Sequence, residues 1–188
     1  MLRVKEAAVK YTYADYAAID DGKRYEIIDG VIYLMSPAPF EAHQRILGKL
    51  FLRFGNYLEG KPCRVFVAPF DVCLNAEGDK DNTVVQPDIF IVCDKSKLDG
   101  KRCNGAPDMA IEILSPSSIS RDMMIKLSKY LEAGVREYWV VDPENKKIYV
   151  NILNNGKYDY SEYKSEDVIS VNILDGFGFS LESIFAEE

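Results

Sequence analysis

Histidine is almost missing from this chain, with His43 the only one in 188 residues, and cysteine is sparse and badly spaced for metal. Cys63, Cys73, Cys93 and Cys103 fall ten, twenty and ten residues apart with no Cys-x-x-Cys pair. One imidazole cannot complete such a set into a zinc site, so four reduced core thiols are expected instead. No apolar run approaches the length of a membrane span, and the first residues, Met-Leu-Arg-Val-Lys-Glu-Ala, lack the apolar centre of a signal peptide. A soluble, cytoplasmic protein with no membrane partner is expected. Internal repeats and low-complexity linkers are also missing, so residues 1–188 read as a single domain, and 47% hydrophobic residues suffice for one sizeable core.

Basic residues are in deficit too. Lys and Arg number 23 against 30 Asp and Glu, a net charge of −7, which by itself argues against a phosphate-rich partner. The distribution softens that. Residues 159–188 hold eight acids and a single base, Lys164; subtracting them leaves residues 1–158 balanced at 22 of each sign. A locally basic loop, Lys95, Lys97, Lys101 and Arg102 against Asp94 and Asp99, is either a solvated turn or a phosphate contact.

What is present is organised around residues 84–142. Two apolar runs, Val-Val-Gln-Pro-Asp-Ile-Phe-Ile-Val ending at Val92 and Asp-Met-Ala-Ile-Glu-Ile-Leu-Ser ending at Ser115, each carry a carboxylate, Asp88 and Glu112. Both runs are short, rich in β-branched residues and non-alternating, as central strands covered on two faces are. A lone carboxylate there costs several kcal/mol, so Glu112 demands a cation or a metal as partner. After a break at Ser115-Pro116-Ser117-Ser118, residues 120–133 have helical periodicity, with Met124, Leu127 and Leu131 on one face and Asp122, Lys126 and Tyr130 on a neighbouring polar stripe. Gly134 closes that helix, and residues 136–142 are a further buried strand.

Earlier in the chain, Thr12 is a candidate N-cap for a short helix from Tyr13, and residues 24–28 and 31–35 flank Asp29-Gly30, a strong hairpin signal. Glu26 lies on its first strand, where by itself it signifies nothing. Residues 41–59 read as an amphipathic helix with Leu47, Leu50, Phe51, Phe54 and Leu58 inward. His43 projects from its first turn, either as a satisfied structural histidine or as a proton carrier or phosphate donor. Residues 63–74 are a strand in which Pro69 marks a bulge or bend. Beyond Asp142, residues 147–153 and 157–163 pair across Asn154-Asn155-Gly156. Residues 168–174 give a last strand and 181–185 a terminal turn, a β-rich extension.

The body is thus ordered αβββαβ. Pro87-Asp88 followed by Glu112 inside the next strand resembles the PD-(D/E)xK nuclease superfamily, a restriction-endonuclease-like α/β core with a central mixed sheet flanked by helices. Several further segments resemble the Uma-type restriction endonucleases in order and spacing. They are Tyr25 to Gly30, Met35-Ser36-Pro37, His43, Gln86-Pro87-Asp88, Glu112 to Ser118, Asp122 with Lys126 and Tyr130, and Gly134 to Pro143. The resemblance implies a Mg2+ site, with Mn2+ as a substitute, at Asp88, Glu112 and the backbone carbonyl of Ile113, an all-oxygen set that suits a hard cation. It also implies a homodimer on duplex DNA. One departure is plain: the superfamily's lysine two residues after the Glu is Leu114 here. The resemblance assigns its role to Lys126 on the following helix, with Glu26 as an accessory metal ligand and His43 as a phosphate or water contact. Three classes of function compete: a metal-dependent endonuclease, a non-catalytic nucleic-acid or protein-binding module that kept the fold, and a hydrolase of a small phosphorylated metabolite.

Overall fold

The computed structural model describes residues 10–35, 40–115 and 121–187, with side chains from 124 onward in the last stretch. Residues 1–9, Ser36 and Pro37, Pro116 to Ser118, and the side chain of Asp122 lie outside the described residues. The elements run α1 Tyr13–Ala17, β1 Tyr25–Ile28, β2 Val31–Leu34, α2 Glu41–Leu58, β3 Arg64–Val67, β4 Asp71–Cys73, β5 Val84–Val85, β6 Ile89–Val92, β7 Arg102–Asn104 and β8 Met109–Ile113. A π-helical turn, Arg121–Lys126, leads into α3 Leu127–Ala133, followed by β9 Glu137–Asp142, β10 Lys147–Asn154, β11 Lys157–Lys164, β12 Val168–Ser170, β13 Gly178–Ser180 and α4 Glu182–Phe185.

Among the described residues a six-stranded sheet has the order β11-β10-β9-β8-β6-β3, and a five-stranded sheet the order β2-β1-β5-β4-β7. Both are mixed: β8 runs parallel to β9 and β4 parallel to β7, with the other pairs antiparallel. The expected strands 63–74 and 84–93 are one long hairpin that bends and is shared by both sheets. Below the bend Val67 faces Ile89; above it Val72 faces Val85. Four residues, 68–71, therefore oppose three, 86–88, so the bend is a bulge at Pro69, as its lack of an N–H predicts. The β1–β2 hairpin closes with Asp29 at φ 53° and Gly30 at φ 82°, the two left-handed residues of a type I′ turn.

The six-stranded sheet is covered on both faces. On one side α2 sets Ile46, Leu50, Phe54 and Leu58 against Ile89, Ile91, Ile111 and Trp139, and the segments after Val168 complete that layer. Ile46, at 2% exposure, takes the inward place expected for Phe51, which is 37% exposed. Strict i, i+4 steps carry the stripe from 46 to 58. Each such buried side chain contributes roughly 1.5–3 kcal/mol. On the other side Phe90, Ala110, Val140 and Tyr138 pack against Tyr130 of α3 and the five-stranded sheet.

Three expectations are corrected by the fold. Cys63 and Cys93 are joined by a disulfide, and only Cys73 and Cys103 are free thiols, both buried. The register that pairs Arg64 with Val92 puts residues 63 and 93 face to face, which spacing along the chain does not reveal. The second concerns the helix after Glu112. Met124, expected inward, is 72% exposed, whereas Lys126 and Tyr130 of the expected polar stripe are buried at 3% and 0%. A π turn closes i→i+5, so the face read upstream at 3.6 residues per turn does not continue into α3. The terminal strand is also shorter than expected, ending at Ser170 and pairing with Gly178–Ser180.

Candidate active site

The bend in the shared hairpin delivers Asp88. Its carbonyl still accepts from Ala68 N at 3.2 Å, the last link to the preceding strand. On the other side Ile89 pairs with Ile111, so extending that register by one residue sets Asp88 opposite Glu112. Pro87 has no N–H to continue the ladder. In its place the Asp88 carboxylate takes the ladder amide: Ile113 N donates to Oδ2 at 2.7 Å. The Ile113 carbonyl points to the same edge of the strand as its amide, toward the space that β6 leaves at Pro87. His43, in the first turn of α2 as its spacing predicts, meets the same Asp88 oxygen through Nε2 at 3.1 Å. The imidazole is buried, and its Nδ1 has no hydrogen-bond partner among the described residues.

Glu112 sits in the middle of the sheet at 3% exposure, on the α3 face. Its Oε1 accepts from Lys126 Nζ at 2.8 Å and from the Tyr130 hydroxyl at 2.7 Å. Burial first, and the Glu112 charge second, push the Tyr130 phenol far above its ordinary value, so it stays a donor. Lys126 Nζ also lies 2.7 Å from Glu26 Oε1, and both side chains are almost fully enclosed. Lys126 is therefore no solvated helix residue. Leu114, on the same strand face as Glu112, is packed in the apolar cluster beside Phe90 and Val140. An ammonium therefore reaches Glu112 from the π turn before α3 and not from its own strand.

Glu26, Glu112 and Lys126 thus converge, as do Asp88, His43 and the Ile113 amide, on the two sides of one strand end. No group of three His, Cys, Asp or Glu side chains able to hold a metal occurs among the described residues. A carboxylate pair completed by a carbonyl and waters, not a closed protein cage, is the donor set available.

Two residues of the site were quoted in motifs without being given a role. Tyr130 is the first. Gln86 is the second: its main-chain N donates to Glu26 Oε1 at 3.0 Å, its Nε2 to Asp71 Oδ1 at 2.8 Å and to the Tyr16 hydroxyl at 2.9 Å, and Arg24 Nε donates to its Oε1 at 3.0 Å. A Gln next to Pro-Asp on a strand carries no signal of such a hub. The basic loop resolves largely into structure: Lys97 Nζ caps the Ala106 carbonyl at 2.7 Å, and Arg102 pairs with Asp79 at 2.9 Å and Asp99 at 3.1 Å while covering the Tyr13 ring. Lys95 and Lys101 remain exposed. No helix among the described residues is long and apolar enough to cross a membrane.

Known proteins are similar to this chain in fold and in sequence. The crystal structure of a putative nuclease belonging to DUF820 from Anabaena variabilis ATCC 29413 superposes with a TM-score of 0.74 over 93% of this chain and 97% of its own, at 19% identity. That likeness establishes the restriction-endonuclease-like fold. The uncharacterized protein slr1290 of Synechocystis sp. (strain ATCC 27184 / PCC 6803 / Kazusa) is 24% identical over 165 residues, which is 87% of this chain and 84% of that protein. Residues 12–182 match the family Uma2, described as "Putative restriction endonuclease". With nearly the whole body matched, from the helix α1 through the last β-ribbon, the chain belongs to the Uma2 family.

Proposed function

We propose that this chain is a Mg2+-dependent endonuclease that hydrolyses phosphodiester bonds in duplex DNA. The observation that carries the reading is the enclosure of Lys126 against Glu112, at 2.8 Å, with Leu114 in the place the superfamily gives its lysine. An ammonium and a carboxylate held together out of water are costly, and their mutual attraction roughly offsets desolvation at best. A module that only binds has no use for that arrangement. Membership of a family described as restriction endonucleases supports the same activity.

The donor chemistry fits a hard cation. Asp88, Glu112 and the Ile113 carbonyl offer oxygen alone, in the number that Mg2+ accepts while retaining water, and Mn2+ takes the same ligands. Bound there, the ion would supply charge to a phosphate oxygen and a lowered pKa to a water. The chain's own groups do the rest. The Ile113 amide and His43 fix the Asp88 carboxylate in rotation. Tyr130 and Lys126 hold Glu112 from the helix side. Lys126 keeps its ammonium beside the acid pair, where it orients the attacking water and offsets charge developing on the phosphate. To His43, whose Nε2 meets Asp88 at 3.1 Å, we assign a phosphate or water contact at the same edge. Two strands of a duplex call for two sites, so the working form is a homodimer, with DNA in the cytoplasm as its substrate.

Plasmid nicking tests the reading. Supercoiled DNA should open only with Mg2+ or Mn2+ present, and Asp88→Asn and Glu112→Gln should abolish it. DNA retention on a filter without any metal-dependent cut would point to the binding module instead. Sedimentation that shows monomer alone across micromolar concentrations would remove the dimer.

A further inference from the structure

We infer that Glu26 is a positioning residue for Lys126 and not a metal ligand, so that the N-terminal hairpin β1–β2 is a working part of the site. The inference rests on the nuclease reading above and adds a role within it.

Glu26 comes from the five-stranded sheet, whereas Glu112 belongs to the six-stranded one and Asp88 directly precedes its strand β6. Its Oε1 faces two donors, Lys126 Nζ at 2.7 Å and the main-chain N of Gln86 at 3.0 Å. An oxygen so placed is turned toward an ammonium and an amide N–H, the surroundings of an anion holding a cation. Lys126 in turn spans two carboxylates, Glu26 Oε1 and Glu112 Oε1, which approach from different sheets. An ammonium nitrogen is tetrahedral and carries three N–H bonds. Directing two of them at carboxylates on two sides sets the direction of the third. With Glu112 alone, the four-carbon stem could satisfy one bond in several rotamers. With Glu26 added, the rotamers that satisfy both contacts are fewer.

The clamp is itself referenced to the acid pair. Gln86 is two residues from Asp88, and its side chain is tied to Arg24, Asp71 and Tyr16. β1 pairs with β5 through Ile27 and Val84, two residues before Gln86. Glu26 and Asp88 are thus fixed to the same short stretch of backbone, so any shift of the hairpin moves Lys126 relative to the metal-side oxygens. A misplacement of about an ångström of a reacting group costs on the order of a hundredfold in rate.

The test compares wild type with Glu26→Gln, which keeps shape and the Gln86 contact but removes the charge. Three readouts are taken: the 15N-labelled Lys126 ammonium signal in metal-free protein, Mg2+ affinity by calorimetry, and kcat and KM for plasmid nicking. Expected are a slowly exchanging ammonium signal in wild type that broadens away in Glu26→Gln, a Mg2+ Kd changed by less than about twofold, and kcat down roughly ten- to a hundredfold at constant KM. A Mg2+ Kd raised about tenfold with the ammonium signal intact would overturn the inference and make Glu26 a ligand. Should Glu26→Gln fail to fold, Glu26→Asp keeps the charge one methylene short, and it should loosen the ammonium signal while leaving Mg2+ affinity alone; an unchanged signal would again overturn the clamp. Wild-type protein that leaves plasmid intact would remove the nuclease reading, while the ammonium and Mg2+ readouts still decide for or against the clamp.

Discussion

Two glutamates lie buried in adjacent strands of the six-stranded sheet, and they are handled in opposite ways. Glu137 of β9 is fully enclosed on the α2 face, where its oxygens accept from Trp139 Nε1 at 2.8 Å and from the main-chain N of Ile173 at 2.9 Å. Glu112 of β8, on the α3 face, is met by an ammonium and a phenol. Neutral donors satisfy Glu137 in place, and burial pushes its carboxyl above the ordinary value of 4.5. It ties the C-terminal segment around Ile173 to the centre of the sheet. Around Glu112 one donor is a cation, Lys126, which is shared with Glu26 of the other sheet and set at a strand end. A buried acid with neutral hydrogen bonds reads as a joint; one with a buried cation beside an opened ladder reads as a site.

The largest effect that would break this contrast is on cleavage. Lys126→Met should lower the nicking rate by on the order of a hundredfold or more, the size of one transition-state electrostatic contact, while Glu137→Gln should leave the rate unchanged in protein that folds. Equal losses in both, or in neither, would erase the distinction. The double change Leu114→Lys with Lys126→Ala should regain part of the rate, since the ammonium then returns to the strand two residues beyond Glu112.

Next in size is the response to metal. Mg2+ at a hundred times its Kd should stabilise the fold by about 2.7 kcal/mol, and Asp88→Asn or Glu112→Gln should remove most of that gain, with Glu137→Gln keeping it whole. Scanning calorimetry with and without the ion reads it directly. An equal gain in all three variants would sever the two acids from the metal.

A smaller effect belongs to the joint. Glu137→Ala leaves the Trp139 and Ile173 donors without their acceptor, and urea unfolding should show a loss of about 1–3 kcal/mol. A change within a few tenths would mean that the C-terminal extension holds without it.

The smallest is a pH slope. Because the folded carboxyl of Glu137 titrates above 4.5, the folded state holds the proton more tightly than the unfolded chain. Its contribution is therefore complete below 4.5 and declines as pH rises through the folded value. Wild type should lose stability relative to Glu137→Gln across that interval; parallel curves for the two proteins would show that the carboxyl carries no such shift.

Much of this was legible in the residues. A carboxylate inside Ile-Glu-Ile, and another after Gln-Pro, stand out because apolar strands exclude charge, so Asp88 and Glu112 were visible as a demand for a partner. Pro69 was readable as a bulge because it lacks a donor. The hairpin turn at Asp29-Gly30 and the glycine cap at Gly134, at φ 85°, follow from local backbone preference and needed nothing else.

Other features were decided by tertiary structure alone. Periodicity weighs apolar against polar residues, so it put Met124 on the apolar face and Lys126 on a polar stripe beside it. The fold exposes Met124 and buries Lys126, because carboxylates on two sheets meet the ammonium and the π turn shifts the register. The Cys63–Cys93 bond depends on which residues face each other across β3 and β6. Glu26 and Gln86 become meaningful only where one bent hairpin passes between two sheets and brings residues 60 positions apart to 3.0 Å. Local sequence sets backbone preference and the cost of burying each group. Which distant group meets that cost is settled by strand register and sheet order, which no window of neighbouring residues contains.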